Sequence, residues 1–189
     1  VASALLVITG ILDRNGNMRT LPSDTLQLQK LSGRLPTDFF DAVESGAPWV
    51  NMGLLALASM LFIMISGAPC NGPVLGGVFT VVGFGAFGKT LRNCWPVVLG
   101  VCIGAWVFGK PITEPGVLLA ALFVTTLAPI AGQFGIVTGV IAGFIHLIMV
   151  ESTAAWHGGL DLYNNGFAGG LTATLVISIL HWIRTNRTK

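Results

Sequence analysis

The sequence predicts an all-α fold: a multi-pass transmembrane helix bundle with short, Gly-rich helices that can be broken or re-entrant. Of its 189 residues, 53% are hydrophobic and only 10% are charged, whereas a soluble domain carries about 25% charged residues. Long apolar runs fill the region from residue 47 to residue 183. A bilayer demands such runs, because backbone hydrogen bonds must close within each helix.

The chain opens in an apolar run, residues 1–12, which is about half as long as a spanning helix. We expect this run to be the end of a truncated transmembrane helix. Its complement would come from a missing N-terminal half of the same protein or from a complementary chain. The absence of a basic stretch ahead of the run argues against a signal peptide.

Residues 13–46 form a polar loop in which two short helices are expected. Ser23 and Asp24 precede the first helix, at residues 25–31, and Asp38 can cap the second, which begins with Phe39. These helices lie either at the membrane interface or in an ordered loop packed on the helix ends, and the sequence leaves both open.

Six apolar runs follow and form the predicted bundle, residues 47–183, ahead of a basic tail at 184–189. Several are short for a hydrocarbon core of about 30 Å, so each is either a complete span, a re-entrant half or a broken helix. The runs are 49–67, 73–88, 95–109, 116–131, 135–150 and 167–183.

The basic residues favour a model in which every run crosses the membrane. In that model nine of the ten Lys and Arg residues lie on one side, with Lys110 alone opposite. If only the run 73–88 dips in and returns, the split is five to five. By the positive-inside rule we predict a cytoplasmic 13–46 loop and a cytoplasmic C-terminus in a bacterial inner membrane.

Glycines in the fifth run predict close helix packing. Gly135, Gly139 and Gly143 form two overlapping GxxxG steps on one face. Packing within the chain is the favoured interpretation, and a homo-oligomer formed through this face is the alternative.

Two polar segments are predicted to interrupt helices at membrane depth. The first, 67–73, has prolines and glycines, and the second, 157–166, is dense in hydrogen-bonding side chains. Irregular backbone at this depth is tolerated where it lines a wet cavity, and it builds the solute site of several transporters; plain turns are the alternative. The candidate solute-binding residues here are Asn71, Gly72, Pro73, His157, Asp161, Tyr163, Asn164 and Asn165.

Two further candidates are ionisable residues of the fifth run, His146 and Glu151, because such groups are costly in a membrane. Together with His157 and Asp161 they could form a metal site or a proton relay, but the spacing matches no established ligand pattern. A neutral His146 bonded between helices is the simpler interpretation. Glu151 and Asp161 would attract cations or pair with His157. We expect no metal and no cofactor.

The segments 71–89 and 157–170 resemble a bacterial family of multi-pass membrane proteins of unknown function, and nearly the whole chain fits its C-terminal half. That resemblance implies a membrane location and no activity. The chain is also similar, more weakly, to urea transporters, in which an Asn-Pro segment and a Tyr-Asn-Gly segment each open a helix. Here Asn71-Gly72-Pro73 and Tyr163-Asn164-Asn165-Gly166 occupy comparable places, although each carries an extra residue and an additional hairpin separates them. This likeness implies two helix-opening elements and a central pathway.

The sequence therefore predicts a permease or channel-like protein for a small polar solute or a cation, built from two internal repeats of which this is the second. Its expected partners are the lipid bilayer and the solute. The net charge of +2 does not indicate nucleic acid. A non-transporting membrane subunit or scaffold is the second hypothesis. A membrane-embedded enzyme is the third, and the absence of nucleophile and nucleotide motifs argues against it.

Overall fold

A computed structural model describes residues 2–12, 19–34, 37–43, 45–158 and 161–187 of the chain, with the backbone alone for Asp161 and Arg187. Within these ranges all regular structure is helical, which confirms the predicted fold class. The α-helices are α1 (Ala2–Leu12), α2 (Leu21–Lys30), α3 (Phe39–Ala42), α4 (Ala47–Ser66), α5 (Gly72–Gly83), α6 (Leu91–Val107), α7 (Pro115–Phe123), α8 (Ala128–Phe134), α9 (Ile136–Thr153) and α10 (Asp161–Arg187).

Four helical stretches in the described part of the chain are long and apolar enough to cross a membrane. Three shorter apolar helices accompany them at Ala2–Leu12, Gly72–Ala86 and Leu91–Val107. The protein is therefore a helical membrane protein. The four long stretches are Ala47–Ser66, Pro115–Phe134, Ile136–His157 and Leu162–Asn186.

Small residues hold α1 antiparallel to α4. Gly10 meets Gly46 near the start of α4, and Gly53, further along α4, meets Val7. A Cβ atom at Gly10 would collide with the carbonyl oxygen of Gly46, so the two backbones touch.

The two short helices of the polar loop pack near the start of α4. Asp38 caps α3 by accepting a hydrogen bond from the backbone of Phe40 at 2.8 Å, as predicted. Leu28, Phe39 and Ala47 have no exposed surface and form one cluster. The first short helix starts four residues earlier than expected, at Leu21, because a proline fits the first turn of a helix.

The glycine face of α9 packs against other helices of the same chain. α9 packs most extensively on α6, where Gly143 lies against the backbone of Val97 and Gly100 lies against that of Val140. Gly139 lies against Ala131 of α8. Gly139 and Gly143 thus pack within the chain, as the favoured interpretation predicts, and a homo-oligomer stays a prediction.

The second apolar run follows α4 back along its length. Val74 belongs to the same core cluster as Ile63, near the end of α4. Gly85 lies against Met52 and Leu55, near its start. The stretch Gly72–Ala86 therefore runs antiparallel to α4 along most of its length and does not turn back on itself.

The second predicted interruption is mostly helical. α10 begins at Asp161, six residues before the expected start at residue 167, and continues to Arg187 through the predicted tail. Asn164 and Asn165 thus lie in its first turns, because their side chains are satisfied across the α9–α10 contact and leave the backbone free to be helical. The irregular part shrinks to a 3-10 turn, Ala154–His157, and the residues just after it.

Candidate functional site

An unpredicted break interrupts the most buried long stretch of the bundle. Between α7 and α8 the chain forms a 3-10 turn, Val124–Leu127, which we call the helix break. Pro129 explains it: a proline has no N–H to offer the carbonyl of Thr125, four residues earlier, and its ring would clash with that carbonyl. The backbone N–H of Ala128 bonds to Thr125 instead. The surrounding stretch is 72% buried, so the break lies inside protein.

Asn164 joins α10 to the end of α9. Its amide nitrogen donates to the carbonyl of Val150 at 2.8 Å, and its amide oxygen accepts from the hydroxyl of Thr153 at 2.6 Å. The Nδ1 atom of His157 lies 3.1 Å from the same oxygen. Asn164 is therefore fully engaged by protein and fixes the α9–α10 connection.

His146 and Thr172 each carry a buried polar atom without a partner. The Nε2 atom of His146 lies 3.3 Å from the amide oxygen of Asn165, which accepts if Nε2 carries the proton. In that tautomer Nδ1 is an acceptor, and it has no hydrogen-bond partner within the described residues, nor does the hydroxyl of Thr172. Neither side chain has any exposed surface. An unsatisfied buried group costs about 1–3 kcal/mol.

His146 lies beside the helix break, and Thr172 lies one turn further along α10 from the glycine that contacts the break. α9 and α10 both pack against it. A Cβ atom at Gly169 of α10 would touch Thr126 of the break and would lie 3.9 Å from the His146 ring. Thr172 follows Gly169 by three residues, about 4.5 Å along the helix axis and on a neighbouring position of the same face.

Lys89 contacts the same break at Thr125, the residue before Thr126. Its side chain is 4% exposed, and its ammonium nitrogen donates to the hydroxyl of Thr125 at 2.8 Å and lies 4.7 Å from the ring centre of Phe84. No acidic side chain among the described residues pairs with it. Among the described residues the Lys89 ammonium therefore has one hydrogen bond and one ring contact.

Two asparagines hold the turn that carries Lys89. The amide nitrogen of Asn51 donates to the carbonyls of Gly85 and Lys89 at 2.8 and 2.9 Å, and its oxygen accepts from Gln29. Asn93 donates to the carbonyl of Gly88 at 2.8 Å and closes a reciprocal cap at the start of α6. The backbone at Lys89 is thus fixed by side chains from α2, α4 and α6.

The predicted site residues fall into two groups. His146, His157, Asn164 and Asn165 come together between α9 and α10, with exposed Tyr163 packed edge-on against His157. The side chain of Asp161 lies outside the described residues.

The other predicted residues lie elsewhere. Asn71, Gly72 and Pro73 are exposed at the start of α5, where Asn71 accepts from the backbone of Val74 at 3.1 Å as a helix cap. α5 packs chiefly on α4 and α7, away from the α9–α10 cluster.

Glu151 pairs with Lys110 at 2.7 Å, rather than with His157. This hydrogen bond raises the pKa of Lys110.

Sequence reasoning missed Lys89, Asn51 and Thr125. Lys89 was counted among the basic residues of a surface turn, and only its long side chain carries the charge into the bundle. Asn51, an amide inside an apolar run, and Pro129, inside another, were the signals available.

Among the described residues no three His, Cys, Asp or Glu side chains gather as metal ligands. What the arrangement offers is hydrogen bonding and one positive charge.

Comparison with known proteins gives one result. A family model described as "Protein of unknown function (DUF1576)" matches residues 17–182. No curated protein and no solved structure matches the chain. The resemblance to a family of unknown function is confirmed, whereas the likeness to urea transporters and the bacterial origin gain no support.

Proposed function

The chain belongs to the DUF1576 family, whose function is unknown. We propose that this family member is part of a membrane permease or channel for a small polar solute. One observation carries the proposal. Within the described residues, Nδ1 of His146 and the hydroxyl of Thr172 are buried polar atoms without hydrogen-bond partners, and His146 lies beside a break in an apolar helix.

Such atoms need a partner that the described protein does not supply. In the interior of a bundle an unpaired acceptor or hydroxyl is costly, and buried polar groups are as a rule hydrogen-bonded. A water molecule or a passing polar solute would satisfy both. Irregular backbone at membrane depth is also expected where a wet pathway runs.

The charges near the break favour a neutral solute over a cation. Lys89 places an ammonium group against Thr125, a residue of the same turn. Glu151, which could have attracted cations, is paired with Lys110 and is partly exposed at the end of α9. A cation near the break would meet an uncompensated positive charge. The proposal therefore narrows the expected solute to a neutral polar molecule and assigns no catalytic step to these residues.

Solute flux into proteoliposomes containing the purified protein tests this proposal. We would screen small neutral polar solutes by stopped-flow light scattering and, separately, measure fluxes of monovalent cations. Thr172→Val removes the unpaired hydroxyl while keeping the side-chain shape. Thr174→Val is the matched control, because that exposed hydroxyl already bonds to the carbonyl of Gly170 at 2.9 Å.

The expected result is flux of at least one neutral solute that falls severalfold in Thr172→Val and is unchanged in Thr174→Val. Thr172→Val should fold at least as stably as the natural protein, because it removes an unsatisfied group. If no solute in the panel moves, or if both variants transport like the natural protein, the pathway between α9 and α10 is refuted and the scaffold hypothesis remains.

A further inference from the structure

An apolar groove opens between α4 and α6 on the outer surface of the bundle. It encloses about 330 Å³. Trp95 and Leu99 line its mouth and are 46% and 40% exposed. In a membrane protein such a surface faces lipid or another apolar segment. Leu55 and Val98 contribute to its walls.

One lining residue of the groove, Thr125, connects it to a buried charge. The Thr125 hydroxyl accepts a hydrogen bond from the Lys89 ammonium at 2.8 Å, so this charge lies directly behind the groove wall. Cys94 and Ser59 add polar atoms to the same lining. Thr125 is the eleventh residue of the 20-residue stretch Pro115–Phe134, so the charge lies about 15 Å from either end of that stretch.

The Lys89 ammonium group makes few hydrogen bonds for a charge at this depth in the bundle. It has three N–H donors, and within the described residues one of them bonds to a neutral hydroxyl while Phe84 offers a ring face. No carboxylate among those residues pairs with it. A charge buried in a bundle is costly unless an opposite charge accompanies it. The missing partner is therefore expected to be an anion.

We propose that this groove binds a single-chain lipophilic carboxylate, with the carboxylate at Lys89 and the apolar tail between α4 and α6. The ligand would enter sideways from the bilayer, past Trp95. The apolar walls favour a molecule with a tail over a small hydrated anion, which would lose its hydration and gain little contact. The polar residues of this site, Lys89 and Thr125, are different from His146 and Thr172, on which the proposed solute pathway rests.

Fluorescence quenching by a brominated fatty acid tests the site in the natural protein. The purified protein is placed in phosphatidylcholine nanodiscs and titrated with bromododecanoate, which quenches tryptophan at short range. Trp95→Phe identifies the share of the signal that belongs to the groove. Bromododecanol, with the same tail and no charge, is the matched ligand.

Lys89→Met removes the charge and keeps the length of the side chain. Arg92→Met is the control, because it removes an equal charge from an exposed position three residues away. Replacing an isolated buried charge by an apolar side chain is usually neutral or stabilising, so Lys89→Met should fold, and its melting temperature checks this.

We expect bromododecanoate to bind about tenfold or more weakly to Lys89→Met than to the natural protein, as for a lost charge-assisted hydrogen bond. Arg92→Met should bind normally, and bromododecanol should not distinguish the three proteins. Equal affinity of bromododecanoate for the natural protein and Lys89→Met overturns the proposal. The proposal is also overturned if acetate displaces bromododecanoate at concentrations as low as those at which dodecanoate displaces it. In that case the apolar tail would contribute nothing to binding.

Discussion

At the scale of single residues, the bundle is organised by a few polar side chains at buried positions, where burying an apolar side chain would cost less free energy. Asn51 has no exposed surface and bonds to two separate segments: the turn that contains Gly85 and Lys89, and α2 through Gln29. Each of these bonds contributes about 1 kcal/mol, and its loss strands a buried group. Asn51 is thus the residue on which the position of Lys89 depends most directly.

Asn51→Ala should therefore lower the stability of the protein by about 2–4 kcal/mol, since it leaves the carbonyls of Gly85 and Lys89 without their donor. Its thermal midpoint in nanodiscs measures the loss. Asn186→Ala removes an exposed amide that bonds within its own helix and should have little effect. Similar midpoints for the two variants would show that the Asn51 network is not structurally important.

The candidate residues were predictable only in part at this scale. His146, Asn164 and Asn165 stood out as polar side chains within or beside apolar runs, and the structure brings them together. Asn71 stood out equally, yet it caps a helix at an exposed end. Sequence cannot tell these cases apart, since a cap and a buried hydrogen bond use the same side chain. Lys89 was not predicted to be buried, because the sequence does not show how far a side chain reaches into the bundle.

At the scale of elements, glycines set how closely the helices approach. α6 and α9 run side by side in the same direction, with Gly100 and Gly143 bringing backbone against backbone. A methyl group at either position would collide with a carbonyl oxygen. Gly76, by contrast, has open space where its Cβ would be. The two kinds of glycine look alike in the sequence.

Gly143→Ala should destabilise the protein by about 2 kcal/mol or more, because the α6–α9 contact has to open. Gly76→Ala should be neutral or mildly stabilising, since alanine is the better helix former. Thermal midpoints of the two variants, compared with the natural protein, measure both effects. An equal response at the two positions would contradict the observed close approach of α6 and α9.

The apolar runs predict where helices occur, but they do not predict where a helix is interrupted. The predicted caps at Asp38 and the start of α5 at residue 72 match the structure within a residue or two. The start of α10 and the helix break were missed. Both depend on tertiary partners: side-chain bonds to α9 allow residues 161–166 to be helical, while Pro129 fits the first turn of α8 only because the preceding turn tightens.

At the scale of the whole molecule, the apolar helices can be followed from one end of the bundle to the other. The stretch Gly72–Ala86 runs antiparallel to α4 and brings Lys89 back to the starting end of α4. α6 and α9 lead away from that end, and α10 begins beside the end of α9 and runs back to it. The turn at residues 67–71 and the last described residues of α10 therefore lie at opposite ends of the bundle. This is the arrangement that the distribution of Lys and Arg favours, with the C-terminus proposed to be cytoplasmic.

Cys70 allows that topology to be tested without adding a label site, since it is exposed in the 67–71 turn, whereas Cys94 is buried. In intact cells a membrane-impermeant maleimide should label Cys70, and a tag on the C-terminus should stay protected from external protease. Cys70→Ser should abolish the labelling. Labelling of Cys70 only after the membrane is opened would place that turn on the cytoplasmic side.

The account depends most on the space beside the helix break being wet. Reactivity of Thr172→Cys toward a small hydrophilic methanethiosulfonate, in a protein whose natural cysteines are replaced, measures this directly. Ala142→Cys, at a residue of α9 with no exposed surface, is the dry reference. We predict that Thr172→Cys reacts readily while Ala142→Cys does not. If Thr172→Cys is as inert as Ala142→Cys, no polar pathway runs between α9 and α10, and the proposed transport function is contradicted.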